Sequence, residues 1–255
     1  MKRSAFISSL MATGALSASA FVTSAQPARH LPRKWKIPPH LKPGDVVGIT
    51  CPSGFALAED VAPAIQYLQN WGLQVVVGKT VGKKDHTFGG TDQERAEDFQ
   101  ELINRTDVKA ILCAHGGYGA VRIIDQLDFS PFTKYPKWVI GYSDITVFHS
   151  HLHAYVGVAS LHAKMSEGFP ADPTKFEPVQ LQALDTIRKA LFGEPLQYTV
   201  PAQVRNRIGE ANGILIGGNL KMIETLAATK SDIVTRDKIF FVEDVGEALY
   251  SIDQI

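Results

Sequence analysis

Apolar residues along the chain fall in short runs that alternate with helical spacings. Residues 45–50 (DVVGIT) read as a buried strand, followed by a Pro52-Ser53-Gly54 loop and a helical pattern over 60–71 carried by Val61, Ile65 and Leu68. Residues 73–77 form a second strand. Thr91-Asp92-Gln93-Glu94 is a capping box that opens a helix through Phe99, Leu102 and Ile103. Residues 109–114 (KAILCA) are a third strand, ending at His115-Gly116-Gly117-Tyr118-Gly119. A helix through Val121, Ile124 and Leu127 follows, and then a fourth strand over 138–141. At Gly141-Tyr142-Ser143-Asp144 that strand gives way at once to a helix with Ile145, Phe148, Leu152 and Val156 on one face. Strands alternating with helices predict a parallel sheet with helices on both faces. Ligands of such sheets gather at the carboxyl ends of the strands. The Pro52 loop, the 115–119 loop and Ser143 all fall there.

From about 165 to 207 the pattern weakens. Pro170, Pro173 and Pro178 precede one helix near 181–191, and the stretch reads as a crossing between domains. A new motif opens at Gly213: an apolar strand (ILI), then Gly217-Gly218-Asn219-Leu220 and a helix with Ile223, Leu226 and Ala227. Residues 238–242 (KIFFV) are a last strand, ending in Glu243-Asp244. The expected division is an N-terminal α/β domain over 44–165, a crossing over 166–208 and a C-terminal α/β domain over 209–255.

Composition narrows the class. The 255 residues carry 26 basic and 26 acidic side chains, so no overall positive field invites nucleic acid. With 45% apolar and 20% charged residues the chain is of ordinary globular composition. Lys2 and Arg3 precede a weakly apolar, Ala- and Ser-rich stretch over 5–22, with small residues at Ala20 and Ala25 for cleavage. This is the layout of a secretory signal peptide over 1–25, followed by a Pro-rich leader over 26–43. It predicts an exported protein, periplasmic or secreted, with no membrane partner after cleavage. Cys51 and Cys113 each end an apolar run. They read as buried free thiols, with a bridge between neighbouring strand ends as the alternative.

Ser143 carries the first candidate chemistry. A serine on a tight strand-to-helix turn stands out from the backbone at a helix N-terminus, where N–H groups can stabilise an oxyanion. Ile145 stands where the usual G-x-S-x-G elbow has its second Gly. The glycines at 116, 117 and 119 fit three roles: a phosphate cradle, a source of an oxyanion-hole N–H, or a tight turn. His149 and His153, four apart, share a helical face but lack the internal Glu of H-E-x-x-H and a third ligand, so no metal is expected. His149 is a poor base for Ser143: six residues along a helix is about 9 Å, where a base needs roughly 3 Å. His115 and His162, flanking strand-end loops, are better placed. Glu243, ending an apolar strand, can orient a histidine, cap a helix or pair with a surface base.

Taken in order, these segments resemble the LD-carboxypeptidases, the serine peptidase family that also contains the microcin-immunity peptidases. The matching pieces are LKPGD at 41–45, Pro52-Ser53, Arg95-Ala96, HGGYG at 115–119, Pro136-Lys137, GYSDIT at 141–146, GGNL at 217–220 and FVED at 241–244. The resemblance implies an N-terminal flavodoxin-like parallel sheet with helices on both faces, plus an incomplete C-terminal α/β domain. It implies a Ser–His–Glu triad with Ser143 as nucleophile and Glu243 orienting the histidine. The N–H groups of Asp144 and Gly117 would form the oxyanion hole, and Gly116, His115 and His162 would contact substrate. The implied reaction cuts an L,D-peptide bond and releases a terminal D-Ala from a murein tetrapeptide, with no metal or cofactor. A homodimer is the expected self-association. Two departures stand out: the family usually has Arg in place of His115, and its catalytic histidine lies beyond the Glu motif, whereas this chain stops at Ile255. The expectation is a truncated member with little or no peptidase activity. The rival is an exported, non-catalytic protein that binds peptidoglycan peptides in the same cleft.

Overall fold

The computed structural model describes residues 35–254; the expected signal peptide lies outside them. Its first sheet holds β1 (Val46–Thr50), β2 (Gln74–Val77), β3 (Val108–Cys113), β4 (Trp138–Gly141) and β5 (Leu161–His162). All are parallel, in the order β2-β1-β3-β4-β5. This is the flavodoxin-type order, whose switch point lies between β1 and β3. The pleat sorts side chains between two cores. Val47, Ile49, Ala110, Leu112, Trp138 and Ile140 face the core built with α1 (Ala58–Asn70). Ile111, Cys113 and Val139 face the core built with Phe99, Leu102 and Ile103 of α2 (Asp92–Asn104).

Most predicted elements are present within a residue or two. The Thr91–Glu94 capping box closes as expected, Thr91 Oγ1 accepting from Glu94 N at 3.2 Å and Thr91 N donating to Glu94 Oε2 at 2.9 Å. Three differences have local causes. A fifth strand, β5, was not predicted, because two residues carry no period. The helix expected through Leu127 is a short α3 (Ala120–Ile123) that tightens into a 3-10 turn over Ile124–Gln126, and Leu127 is already extended. After α4 (Pro131–Lys134), the helix following Ser143 starts as a 3-10 turn over Ser143–Ile145. It becomes α5 (Thr146–His151) and ends as a π turn over Leu152–Val156. That change of winding breaks the shared face expected for His149 and His153. His149 is buried, with Nδ1 on Ser160 Oγ at 2.8 Å and Nε2 on Gly141 O at 2.9 Å, while His153 stacks on Trp35.

The leader's described part lies along the domain: Trp138 Nε1 donates to Pro39 O at 3.0 Å, and Leu41 N to Leu191 O at 2.7 Å. Leu191 belongs to α6 (Pro178–Phe192), whose Leu184, Ile187 and Leu191 join the core on the α1 side. Beyond it, β6 (Ile214–Asn219) and β7 (Lys238–Glu243) form a two-stranded parallel sheet, the second α/β unit, with α7 (Leu220–Thr225) and α8 (Leu249–Gln254). Leu215, Phe240 and Val242 on it are exposed. Leu226, just past α7, is buried in the core on the α2 side and ties this unit to the first sheet. Both cysteines are free and buried. Burial pushes the Cys51 thiol up to about 12 and raises Cys113 as well, which leaves both unreactive.

Candidate active site

Three strand ends converge where the sequence pattern placed them. β4 ends at Gly141, and Ser143 follows with φ of +58°, in the left-handed region that a non-glycine residue enters only under constraint. The neighbours supply that constraint. Asp144, buried next to it, accepts a hydrogen bond from Ser53 Oγ and another from Ala120 N at 2.8 Å, joining the turn to the loops after β1 and β3. Burial raises the Asp144 carboxyl above the usual range, while those two bonds and the nearby Arg95 favour its ionised form. Gly54 N donates to Gly116 O at 2.8 Å, completing the contact of the Pro52 and 115–119 loops.

Gly116 has no room for a side chain. A Cβ there would lie 3.2 Å from Ser143 Cβ and 3.4 Å from Ser143 Oγ. The N–H groups of Gly117 and Asp144 have no hydrogen-bond partner among the described residues. Both belong to the two loops that flank Ser143.

Glu243 reaches the same place from the second sheet. In the β6–β7 register Asn219 lies opposite Glu243. Asn219 N donates to Thr146 Oγ1 at 3.0 Å, one turn past Ser143, and its side chain caps α7 by accepting from Met222 N at 3.1 Å. The glycines before it allow this docking. A Cβ at Gly217 would collide with the Phe241 carbonyl, and one at Gly218 with Thr146; both glycines have φ of +144°. Burial and the neighbouring Asp244 raise the Glu243 carboxyl, while the Asn219 side chain and the Ser143 backbone N–H favour its charged form. Its Oε1 is buried without a hydrogen-bond partner.

The histidines divide. His115 pairs through Nδ1 with Glu167 Oε2. His162, opposite Gly141 on β5, lies edge-on to Phe241 at 5.1 Å; burial lowers it, and its Nδ1 has no hydrogen-bond partner. No histidine among the described residues hydrogen-bonds Ser143 Oγ. Nor does any group of three or more His, Cys, Asp or Glu among them form a metal cradle. Of the residues expected in the site, Ser143, Glu243, Gly116 and Gly117 lie together in the structure. Sequence reasoning missed Glu167, the Asn219 side chain and the buried tie from Ser53 to Asp144. Only the Pro52-Ser53 and GGNL motifs pointed toward the last two, and nothing in the sequence pointed to Glu167.

The chain matches the LD-carboxypeptidase N-terminal domain over residues 47–163 and the LD-carboxypeptidase C-terminal domain over residues 212–255. A probable murein peptide carboxypeptidase of Bacillus subtilis is 34% identical over 225 residues, covering 86% of this chain and 68% of the relative. The murein tetrapeptide carboxypeptidase of Pseudomonas aeruginosa is 28% identical over 206 residues, covering 78% of this chain and 66% of that one. Among solved structures, muramoyltetrapeptide carboxypeptidase from Oxalobacter formigenes superposes with a TM-score of 0.67 at 27% identity, over 82% of this chain and 69% of that one.

Proposed function

The chain belongs to the LD-carboxypeptidase family, and on that premise we propose that its site is that of a serine carboxypeptidase. Ser143 is the nucleophile, and the substrate is a murein tetrapeptide that loses its terminal D-Ala. The observation that carries this is the Ser143 turn: a non-glycine residue held at φ +58° with Oγ against Gly116 and its N–H facing Glu243. Attack on the scissile carbonyl puts negative charge on its oxygen, and the unpartnered N–H groups of Asp144 and Gly117 are the donors for that oxyanion. Glu243, with a buried oxygen still free, is placed to receive the N–H of a catalytic imidazole and hold its tautomer. His162 and Gly116 line the substrate side. Export brings such a site to murein, its natural location.

No histidine among the described residues reaches Ser143 Oγ and Glu243 together as a triad base would. Loss of the histidine from a serine triad costs on the order of 10⁶ in turnover. The test follows D-Ala release from a murein tetrapeptide by this chain and its Ser143→Ala variant, with peptide binding measured alongside. Expected are binding by both and only residual release. A rate typical of a complete triad, lost in Ser143→Ala, would show that a base lies within the chain. Failure of either form to bind the peptide would overturn the substrate assignment. That Ser143 Oγ has no histidine partner among the described residues also favours a second reading, a non-catalytic binder of peptidoglycan peptides. In that case Ser143→Ala leaves affinity unchanged and no condition elicits turnover.

A further inference from the structure

The loop that packs against Ser143 carries a second polar pair, which the reaction as described does not use. His115 Nδ1 is hydrogen-bonded to Glu167 Oε2. Glu167 is held in place by its own backbone: its N–H donates to Ala114 O at 3.3 Å, and Ser166 Oγ reaches the same carbonyl at 3.2 Å. The carboxylate is thus anchored one residue from the imidazole it faces. The ring lies on the Pro52 loop at Gly54, where a Cβ would collide with His115 Cδ2, and the next residue, Gly116, abuts Ser143. His115 is 39% exposed in its side chain, and its second ring nitrogen, Nε2, lies on the side of Gly54 and Gly117, the latter one residue past the glycine that abuts Ser143.

Charge decides what this nitrogen offers. The hydrogen bond to Glu167 raises the His115 pKa above its usual value, and the charges of Glu167 and Asp60 add to that, against the opposing effect of burial. Protonated, the ring presents Nε2–H as a charge-assisted donor. Other cations at these loops are already engaged: Arg95 is fully buried and directs its N–H groups to the carbonyls of Pro52, Gly90 and Gly119 and to Asp92, Arg122 pairs with Asp92, and Lys84 lies over the Phe55 ring. An exopeptidase must distinguish a chain end from a chain interior, and the C-terminal end is a carboxylate.

We propose that His115, oriented by Glu167, binds the terminal carboxylate of the substrate through Nε2–H. This assignment rests on the carboxypeptidase reading above. It also fixes a pH dependence. When His115 loses its charge, the remaining proton stays on Nδ1 toward Glu167, and Nε2 presents a lone pair that repels the carboxylate. Recognition of the free chain end is therefore strong at low pH and falls as pH rises through the His115 titration.

Calorimetric titration of the 255-residue chain with a murein tetrapeptide, and with the same peptide as its C-terminal amide, tests this. The free acid should bind on the order of tenfold more tightly than the amide at low pH, and the preference should vanish at high pH. His115→Gln should abolish the preference, and a circular-dichroism spectrum and urea midpoint matching the parent's report that the variant is folded. His115→Arg should keep the preference and lose its pH dependence. A preference that survives in His115→Gln, or equal binding of acid and amide by the parent chain, overturns the anchor alone. Binding of neither peptide by the parent chain overturns the murein-peptide reading and the anchor with it.

Discussion

A serine with positive φ carries about 1–2 kcal/mol of backbone cost, and at Ser143 that cost is met by bonds converging on its neighbours. Asp144 holds Ser53 and Ala120, Thr146 holds Asn219, and Glu243 faces the Ser143 N–H itself. The buried histidines beyond it are a separate matter of stability. His149 and His151 are pushed down from the usual 6.5 to about 4, in both cases chiefly by burial. In the unfolded chain each takes up its proton near 6.5, but folded, only near 4. Their contribution is complete above pH 6.5 and is lost as pH falls toward 4. Between those limits each imidazole should lower stability by about 1.4 kcal/mol per pH unit. Denaturant titrations across that range check this, and His149→Gln should reduce the slope by one proton. A slope unchanged in the variant would show that His149 is not excluded from protonation in the fold.

Among the elements, α2 does more than cover the sheet. Its Arg95 is fully buried and donates to Pro52 O at 2.6 Å, Gly119 O at 3.0 Å and Gly90 O at 3.2 Å, pinning three loops around the site. Arg95→Ala strands those carbonyls and should cost about 3–5 kcal/mol, read as a lower urea midpoint. Arg95→Lys should recover little, since one ammonium cannot replace a planar fork. A loss under about 1 kcal/mol would mean that the loops hold themselves. The strands and α2 were legible in the sequence because apolar runs and the Thr91 capping box are local signals. The elbow was legible because Gly141-Tyr142-Ser143-Asp144 ends one period and starts another. β5 was not, since its two residues pair only because β4 offers an edge. The π turn that separates His149 from His153 was equally hidden, because the sequence continues an ordinary helical spacing through Val156. Glu167 reaches His115 from 52 residues away, a pairing no local pattern encodes.

At the scale of the whole molecule, the second sheet completes the site begun by the first. The flavodoxin-type sheet presents Ser143 at its carboxyl edge, and the parallel β6–β7 pair delivers Asn219 and Glu243 to the same point. Gly217 and Gly218 let that pair approach, and Leu226 buried in the first core keeps it there. The central proposal is that Ser143 is a nucleophile, with the N–H groups of Asp144 and Gly117 as oxyanion donors and Glu243 as the orienting carboxylate, and that no imidazole among the described residues joins them. The most direct measurement supplies that imidazole from solution. D-Ala release from a murein tetrapeptide is followed with and without added free imidazole, for the 255-residue chain and for Ser143→Ala. The account predicts release that rises with imidazole in the parent chain and stays at background in Ser143→Ala. Release that ignores imidazole, or that is equal in the two proteins, would contradict it.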